Sequence, residues 1–387
     1  MNLDPGPVEP APILRIASVR HDHPTAIATL AAEMGTDDLD LVVLLASPHA
    51  DSETLISEAA RCCAGATVIG CTTAGEISRD GYAEGEIVAI GFPCAHFQSQ
   101  TTLLPDLTDY DAQALIDRMI RVRHDLGIAR PAWTHEFNFM LIDGLSTLED
   151  KLTSDLAVGL GPVPLFGGSA GDGDAFGETF VLHNGRAYSN AAVLVQVRTN
   201  CPVKVFKTDH FLPTERRMVV TGADPARRIV HEINAEPAAR EYARILGKDP
   251  EQLTPFTFAA HPVVVRIGGQ HHVRSIQQVT KTGDLQFFSA IDEGLVLTLA
   301  EPRDMVDHLA TELAALADPT PPAAILGCDC FLRRLEAQEN QVTGALSALL
   351  RAHRVVGFST YGEQFNSMHV NQTLTGVAIY PPEDVPA

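Results

Sequence analysis

With 387 residues, 45% of them hydrophobic, the chain is too long for one small core and apolar enough to bury two, so two domains or one pseudo-symmetric pair are expected. The 28 Lys and Arg against 49 Asp and Glu leave a formal charge of −21. That field repels phosphate backbones and anionic headgroups and argues against DNA, RNA and membrane-surface partners, while leaving room for a local basic pocket that holds one small acid.

The chain opens on MNLDPGPVEPAPILRIASVR, with acidic residues and prolines where a secretory signal needs a basic start and a continuous apolar run. It therefore reads as cytoplasmic. Apolar stretches such as LVVLLA are far below membrane-spanning length. Cys62, Cys63, Cys71, Cys94, Cys201, Cys328 and Cys330 lack the paired spacing of a structural zinc site and read as reduced, mostly buried thiols.

An internal echo then runs through the sequence. The strand LVVLLAS, the amphipathic SETLISEAARCC and the strand and turn ATVIGCTTAGEIS form the first copy. FNFMLID, TLEDKLTSDLAVGL and VPLFGGSAGDG form the second. AAILGCD, ENQVTGALSALLRAH and RVVGFSTYGEQ form the third. Short β-branched runs bounded by turn residues predict the strands, and apolar residues every three or four positions predict the helices. Crossovers of this length suit βαβ units with parallel neighbours. A further strand follows the first and third copies, in EGEIVAIGF and QTLTGVAIY. Between the second and third copies, RRIVHEINAEPAAREYARIL predicts a strand and a helix capped near Asn234, and the β-branched stretch after residue 262 predicts antiparallel strands. The expected fold is mixed α/β (α+β), with mixed sheets covered by helices and two pseudo-related modules at 25–222 and 230–380.

GCTTAGE (70–76) and GFSTYGE (357–363) end their strands on Gly, small hydroxyl or thiol residues, a second Gly and a carboxylate. Such a turn brings backbone and hydroxyls close to a ligand, or simply joins strands; two distant copies favour the ligand-facing role for Cys71, Thr72, Thr73, Glu76, Thr360, Tyr361, Glu363 and Gln364, and Ser169 and Asn371 are expected to join them. GGSAG around Ser169 matches the G-x-S-x-G of a hydrolase elbow, but the DGDAFGE that follows has no helix-forming character, so a nucleophile is not expected. Arg333 and Arg334, adjacent in a very acidic chain, suit a ligand carboxylate, or pair with local acids such as Glu336. His271 and His272 sit in a hairpin and face opposite sides. His369, opening HVNQT with Asn371 directly after the STYGEQ turn, is aimed toward the same region.

GCTTAGEI, FGGSAGD, CFLRRLE and GFSTYGEQFNSMHVNQT, in this order over residues 25–380, resemble the FIST domain family, with an N-terminal and a C-terminal module. The resemblance implies an intracellular small-ligand sensor, not an enzyme, whose output passes to a separate histidine kinase or cyclic-dinucleotide enzyme. One branch of the family consists of haemoproteins that sense nitric oxide. By that resemblance haem b would take His369 as axial ligand, with His261 the weaker choice, and Arg333 and Arg334 at the propionates, beside Thr360 and Tyr361. The rival is an amino-acid-like metabolite, its carboxylate on Arg333 or Arg334 and its amino group on Glu76 or Glu363. A scaffold that only binds proteins, its Gly turns structural, is a third reading.

Overall fold

The computed structural model describes residues 12–382; residues 1–11 of the stretch read above as non-secretory lie outside the described residues. Three units follow one another. The first comprises β1 (Arg15–Arg20), α1 (Ala26–Met34), β2 (Leu39–Ala46), α2 (Ser52–Cys62), β3 (Thr67–Thr72), the hairpin β4 (Glu76–Ser78) and β5 (Gly81–Ala83), and β6 (Glu86–Pro93). The second repeats the order with β7 (Phe97–Leu104), α3 (Ala112–Ala129), β8 (His135–Ile142), α4 (Glu149–Leu160), β9 (Leu165–Ser169), the hairpin β10 (Val181–His183) and β11 (Arg186–Tyr188), and β12 (Ala192–Thr199).

The third unit begins at β13 (Val203–Thr208) and is interrupted by an insert. The insert holds β14 (Phe211–Asp224), β15 (Ile229–Ile233), β16 (Glu236–Pro237), α5 (Ala238–Leu246), α6 (Pro255–Ala260), β17 (Val263–Ile267), β18 (Gln270–Arg274), β19 (Ile276–Val279), β20 (Leu285–Phe287) and β21 (Val296–Pro302). The unit resumes with α7 (Met305–Ala317), β22 (Ala324–Cys330), α8 (Phe331–Glu339), α9 (Thr343–Ala352), β23 (Val355–Thr360), the hairpin β24 (Glu363–Phe365) and β25 (Met368–Val370), and β26 (Leu374–Ile379).

The three six-stranded sheets run β1-β6-β2-β3-β10-β11, β7-β12-β8-β9-β24-β25 and β13-β26-β22-β23-β4-β5. Each has the same plan: two parallel strands around a helical crossover, flanked by antiparallel strands. Each also ends on a hairpin belonging to another unit. The second unit lends β10-β11 to the first, the third lends β24-β25 to the second, and the first lends β4-β5 to the third. The exchange is cyclic, so the units close into a pseudo-threefold ring. The three copies read from the sequence are these units, and strands cross the division expected near residues 222–230, which falls within the insert.

The sheets' inner faces meet in one core, where Val43, Ile69, Ile90, Phe139, Phe166, Val195, Leu326, Phe358 and Val377 are buried together. Their outer faces are covered by helices carrying apolar stripes. Leu115, Met119, Val122 and Leu126 recur every three or four residues along α3, and Leu115 and Met119 meet Leu152 and Leu156 of α4. Asp111 caps α3 by accepting from the backbone N–H groups of Gln113 and Ala114. The insert buries its own core around Tyr242, Phe258 and Phe287, and its strands pair antiparallel, as expected.

Two local expectations are corrected. The insert helix begins at Ala238, not near Asn234. Asn234 has φ 53°, and its side chain ties the turn by accepting from Val219 N at 2.9 Å and donating to Glu241 Oε1 at 2.8 Å. In the third unit the single expected helix is two, because α8 starts directly after β22. Its Arg-Arg centre hides the apolar spacing of Phe331, Leu332 and Leu335, yet all seven residues from Phe331 to Ala337 are buried.

Candidate functional site

The three Gly-x-Ser/Thr turns converge where the parallel strands end. Gly70, Gly167 and Gly357 occupy one position in the three units, paired in register with Leu44, Met140 and Gly327. A Cβ at any of them would overlap the carbonyl oxygen of that partner. Two residues on, Thr72, Ser169 and Ser359 take up the axis. Gly171 N donates to Thr72 O at 3.1 Å, Tyr361 N to Ser169 O at 3.2 Å, and Ala74 N to Ser359 O at 2.9 Å. At the axis these three bonds join each unit to the next, beside the ladders of the exchanged hairpins, and buried backbone groups with no access to water are paired in a closed ring.

The carboxylates that end the first and third turns are held by matching contacts. Thr73 Oγ1 donates to Glu76 Oε1 at 2.5 Å, and Glu86 N to Glu76 Oε2 at 3.0 Å. Thr360 Oγ1 donates to Glu363, whose other oxygen accepts from Thr373 N at 3.2 Å and Thr373 Oγ1 at 2.6 Å. Burial pushes the Glu363 carboxyl up to about 8 against the pull of these donors. Burial also raises Glu76, with Thr73, the Glu86 amide and Arg334 opposing it.

Beside this axis, at the carboxyl ends of β2 and β3, lies a cleft of about 280 Å³. All three units build it: Ser47, His49, Thr73, Gly75, Glu76 and Glu84 from the first, Asp172–Ala175 from the second, and Phe331, Arg334, Leu335 and Gln338 of α8 from the third. Crevices at the carboxyl ends of parallel strands are the usual ligand sites of α/β sheets. Arg334 is held by its Nη2, which donates to Ala83 O at 2.6 Å, and by the Tyr82 ring 5.3 Å from its guanidinium carbon. A Cβ on Gly75 would fall within the guanidinium of Arg334, so the second Gly of the turn makes the room that Arg334 fills. Asp172 is fixed by Gly177 N at 2.7 Å, Glu178 N at 2.8 Å and the Tyr361 hydroxyl. The cleft therefore presents one inner cation with carboxylates around it, a set of partners for a small zwitterion.

Of the residues singled out from sequence, Thr73, Glu76 and Arg334 line this cleft. Cys71, Thr72, Ser169, Thr360, Tyr361, Glu363, Gln364 and Asn371 are buried at or beside the axis. Ser169 Oγ accepts from Gln364 Nε2 at 3.0 Å, and β9 ends at Ser169 with no helix following, so the support a nucleophile elbow requires is missing. Arg333 turns away from the cleft. It is fully buried, its Nε donating to Asp329 Oδ1 at 2.8 Å and its Nη1 lying 3.0 Å from His210 Nδ1. On its far side His210 meets Glu336 at 2.9 Å, and burial followed by the charge of Arg333 holds His210 down at about 2. The guanidinium on Nδ1 leaves the proton of the neutral ring on Nε2, donated to Glu336. Asp172, Ser47 and His49 were missed. The signal for Asp172 lay in the echo: aligned on Thr72, Ser169 and Ser359, it stands where the other two turns have Gly75 and Gly362.

The residues expected to hold haem do not fit one. His369 is buried, with Nε2 unpartnered, Nδ1 3.3 Å from Gln364 Nε2 and its carbonyl accepting from Arg274 at 3.3 Å. Its ring lies on Gly362, where a Cβ would overlap the imidazole. Burial first lowers its pKa; the cations acting on it are Arg228 and Arg274 of the insert, not Arg333 or Arg334. His261 follows α6 as its C-terminal cap, and its carbonyl accepts from Tyr242 Oη at 2.6 Å. Among the described residues, no group of three or more His, Cys, Asp or Glu is placed to hold a metal ion, and no helix is long and apolar enough to cross a membrane.

Compared with known families, residues 40–236 match the FIST N domain and residues 238–366 the FIST C domain. No curated protein matches the chain.

Proposed function

Since the chain belongs to the FIST family, whose domains are associated with signal transduction and small-ligand sensing, we propose that its ligand is a small zwitterionic metabolite of the amino-acid class, bound in the 280 Å³ cleft. The ligand carboxylate meets Arg334 and its ammonium the exposed carboxylates of the cleft wall, Glu84 and Asp174. The carrying observation is the placement of Arg334 and those carboxylates in one small cleft built by all three units. Arg333 and Glu363, the other pair considered from sequence, are consumed by internal contacts.

Output passes to a separate signalling protein, such as a histidine kinase or a cyclic-dinucleotide enzyme, and the site of action is the cytoplasm, in keeping with seven free cysteines. For a haem-based nitric oxide sensor the support is limited to the unpartnered Nε2 of His369.

Thermal unfolding of the full chain with each common amino acid tests the proposal. A ligand at a hundred times its Kd adds about 2.7 kcal/mol of stability, so a true ligand raises Tm in the parent and not in Arg334→Ala. If no member of the panel raises Tm, or if the variant responds equally, the proposal fails.

A further inference from the structure

At the opposite end of the ring, where β22 and β23 begin, lies a groove of about 910 Å³. One wall carries Ile13 and Ile16 of the first unit and the other Val356 of the third, and prolines at 12, 321, 381 and 382 add to its apolar lining. Arg79, Arg351 and Arg354 also line it, and among the described residues no Asp or Glu does. All three arginines are exposed, and none takes part in an ion pair among the described residues. Arg79 donates to Ile16 O.

A chain of charge −21 has carboxylates to spare for its cations. Three guanidinium groups gathered on one apolar groove, with no carboxylate among its described lining, make a local positive field against a hydrophobic wall, the two features that a long aliphatic acid answers together. The volume is within the range of about 300–1,000 Å³ typical of ligand pockets.

We propose that this groove binds the carboxylate of a long-chain aliphatic acid, its head on the arginines and its chain along Ile13, Ile16 and the prolines of the groove. The site shares no residue with the polar cleft, and its ligand class is different, so the two proposals stand or fall separately.

Titration of the full chain with the fluorescent fatty acid cis-parinarate, followed by displacement with dodecanoate, decanoate and 1-dodecanol, tests it. Saturable binding at one site is expected. Each methylene should strengthen displacement about threefold to fourfold, so dodecanoate should exceed decanoate by about tenfold. Arg351→Glu combined with Arg354→Glu, both at exposed positions, should weaken dodecanoate at least tenfold while leaving 1-dodecanol unchanged. Arg79→Glu alone should weaken it in the same direction. Absence of saturable binding, equal displacement by the acid and the alcohol, or undiminished dodecanoate binding by all the charge-reversed variants would each overturn the proposal.

Discussion

Arg333 and Arg334 are neighbours in α8 that serve opposite sides of it: Nε of Arg333 donates to buried Asp329 Oδ1 at 2.8 Å, while Nη2 of Arg334 donates to Ala83 O at 2.6 Å on the wall of the cleft. One helix therefore carries the cleft's cation and the buried charge network that reaches His210, at the root of the insert. Consecutive helix positions point about 100° apart, and here the two guanidinium groups diverge to separate partners.

The two arginines should separate cleanly on substitution. Arg333→Ala strands Asp329 in a buried site, and breaking such a pair costs about 3–5 kcal/mol. Arg334→Ala removes a partly satisfied group at a cleft and should cost about 1 kcal/mol. Urea unfolding read by circular dichroism is expected to rank them in this order, and adding Asp329→Asn to Arg333→Ala should recover part of the loss.

Gly70, Gly167 and Gly357 are all predicted to be intolerant of a methyl group, Gly357 most of all because its φ of 154° adds backbone strain. At each, the Cβ would overlap a backbone carbonyl of the adjacent parallel strand, and a carbonyl locked in a ladder cannot withdraw as a side-chain tip can. Alanine at any of the three should cost about 1–3 kcal/mol or more. Gly65→Ala, where nothing lies within 4 Å, should be neutral. Losses at all three sites, measured by urea midpoint, would support the pseudo-threefold equivalence; a neutral Gly167→Ala would contradict it.

The equivalence was visible in the sequence because each unit repeats strand, helix, strand and a Gly-x-Ser/Thr turn, and local periodicity is what a single sequence expresses most directly. The hairpin exchange was not legible. β4, β10 and β24 are three residues each, too short for a period, and the choice of a neighbouring unit's sheet over their own is a long-range decision. The motif residues were found, but their role shifted. Thr72, Ser169 and Ser359 close the axis through their carbonyls, which any residue type provides, so their side chains said little about the contact they make. Arg334 was legible as an unusual cation, whereas its separation from Arg333 required the helix that the Arg-Arg pair itself obscured.

Glu363 gives a pH signature of defined sign. Burial lifts its folded carboxyl from the ordinary 4.5 to about 8, so between those values the folded chain holds a proton that the unfolded chain has released. Its contribution to stability is full below pH 4.5 and is lost as pH rises through about 8. Glu363→Gln keeps a neutral group of the same shape and removes the titration. The stability of the parent relative to this variant should therefore fall steadily from pH 5 to pH 8, as read by urea unfolding at each pH. A constant difference would mean that Glu363 is ionised throughout, held by Thr360 and Thr373.

His369 decides the remaining haem question through its surroundings. An axial ligand needs its free nitrogen to face a space wide enough for a macrocycle, with cations nearby for the propionates. His369 Nε2 is unpartnered, but its ring lies against Gly362, and a Cβ built there would come 2.9 Å from Asn371 Nδ2. Filling this buried spot with a donor hydrogen-bonded to one ordered water demands far less room than opening it to haem. Haemin titrated into the purified chain is accordingly expected to give no stoichiometric Soret band, and His369→Ala should leave that spectrum unchanged. A one-to-one band that vanishes in His369→Ala and shifts on adding nitric oxide would establish the opposite, and would require Gly362 and the β24-β25 hairpin to move apart on loading.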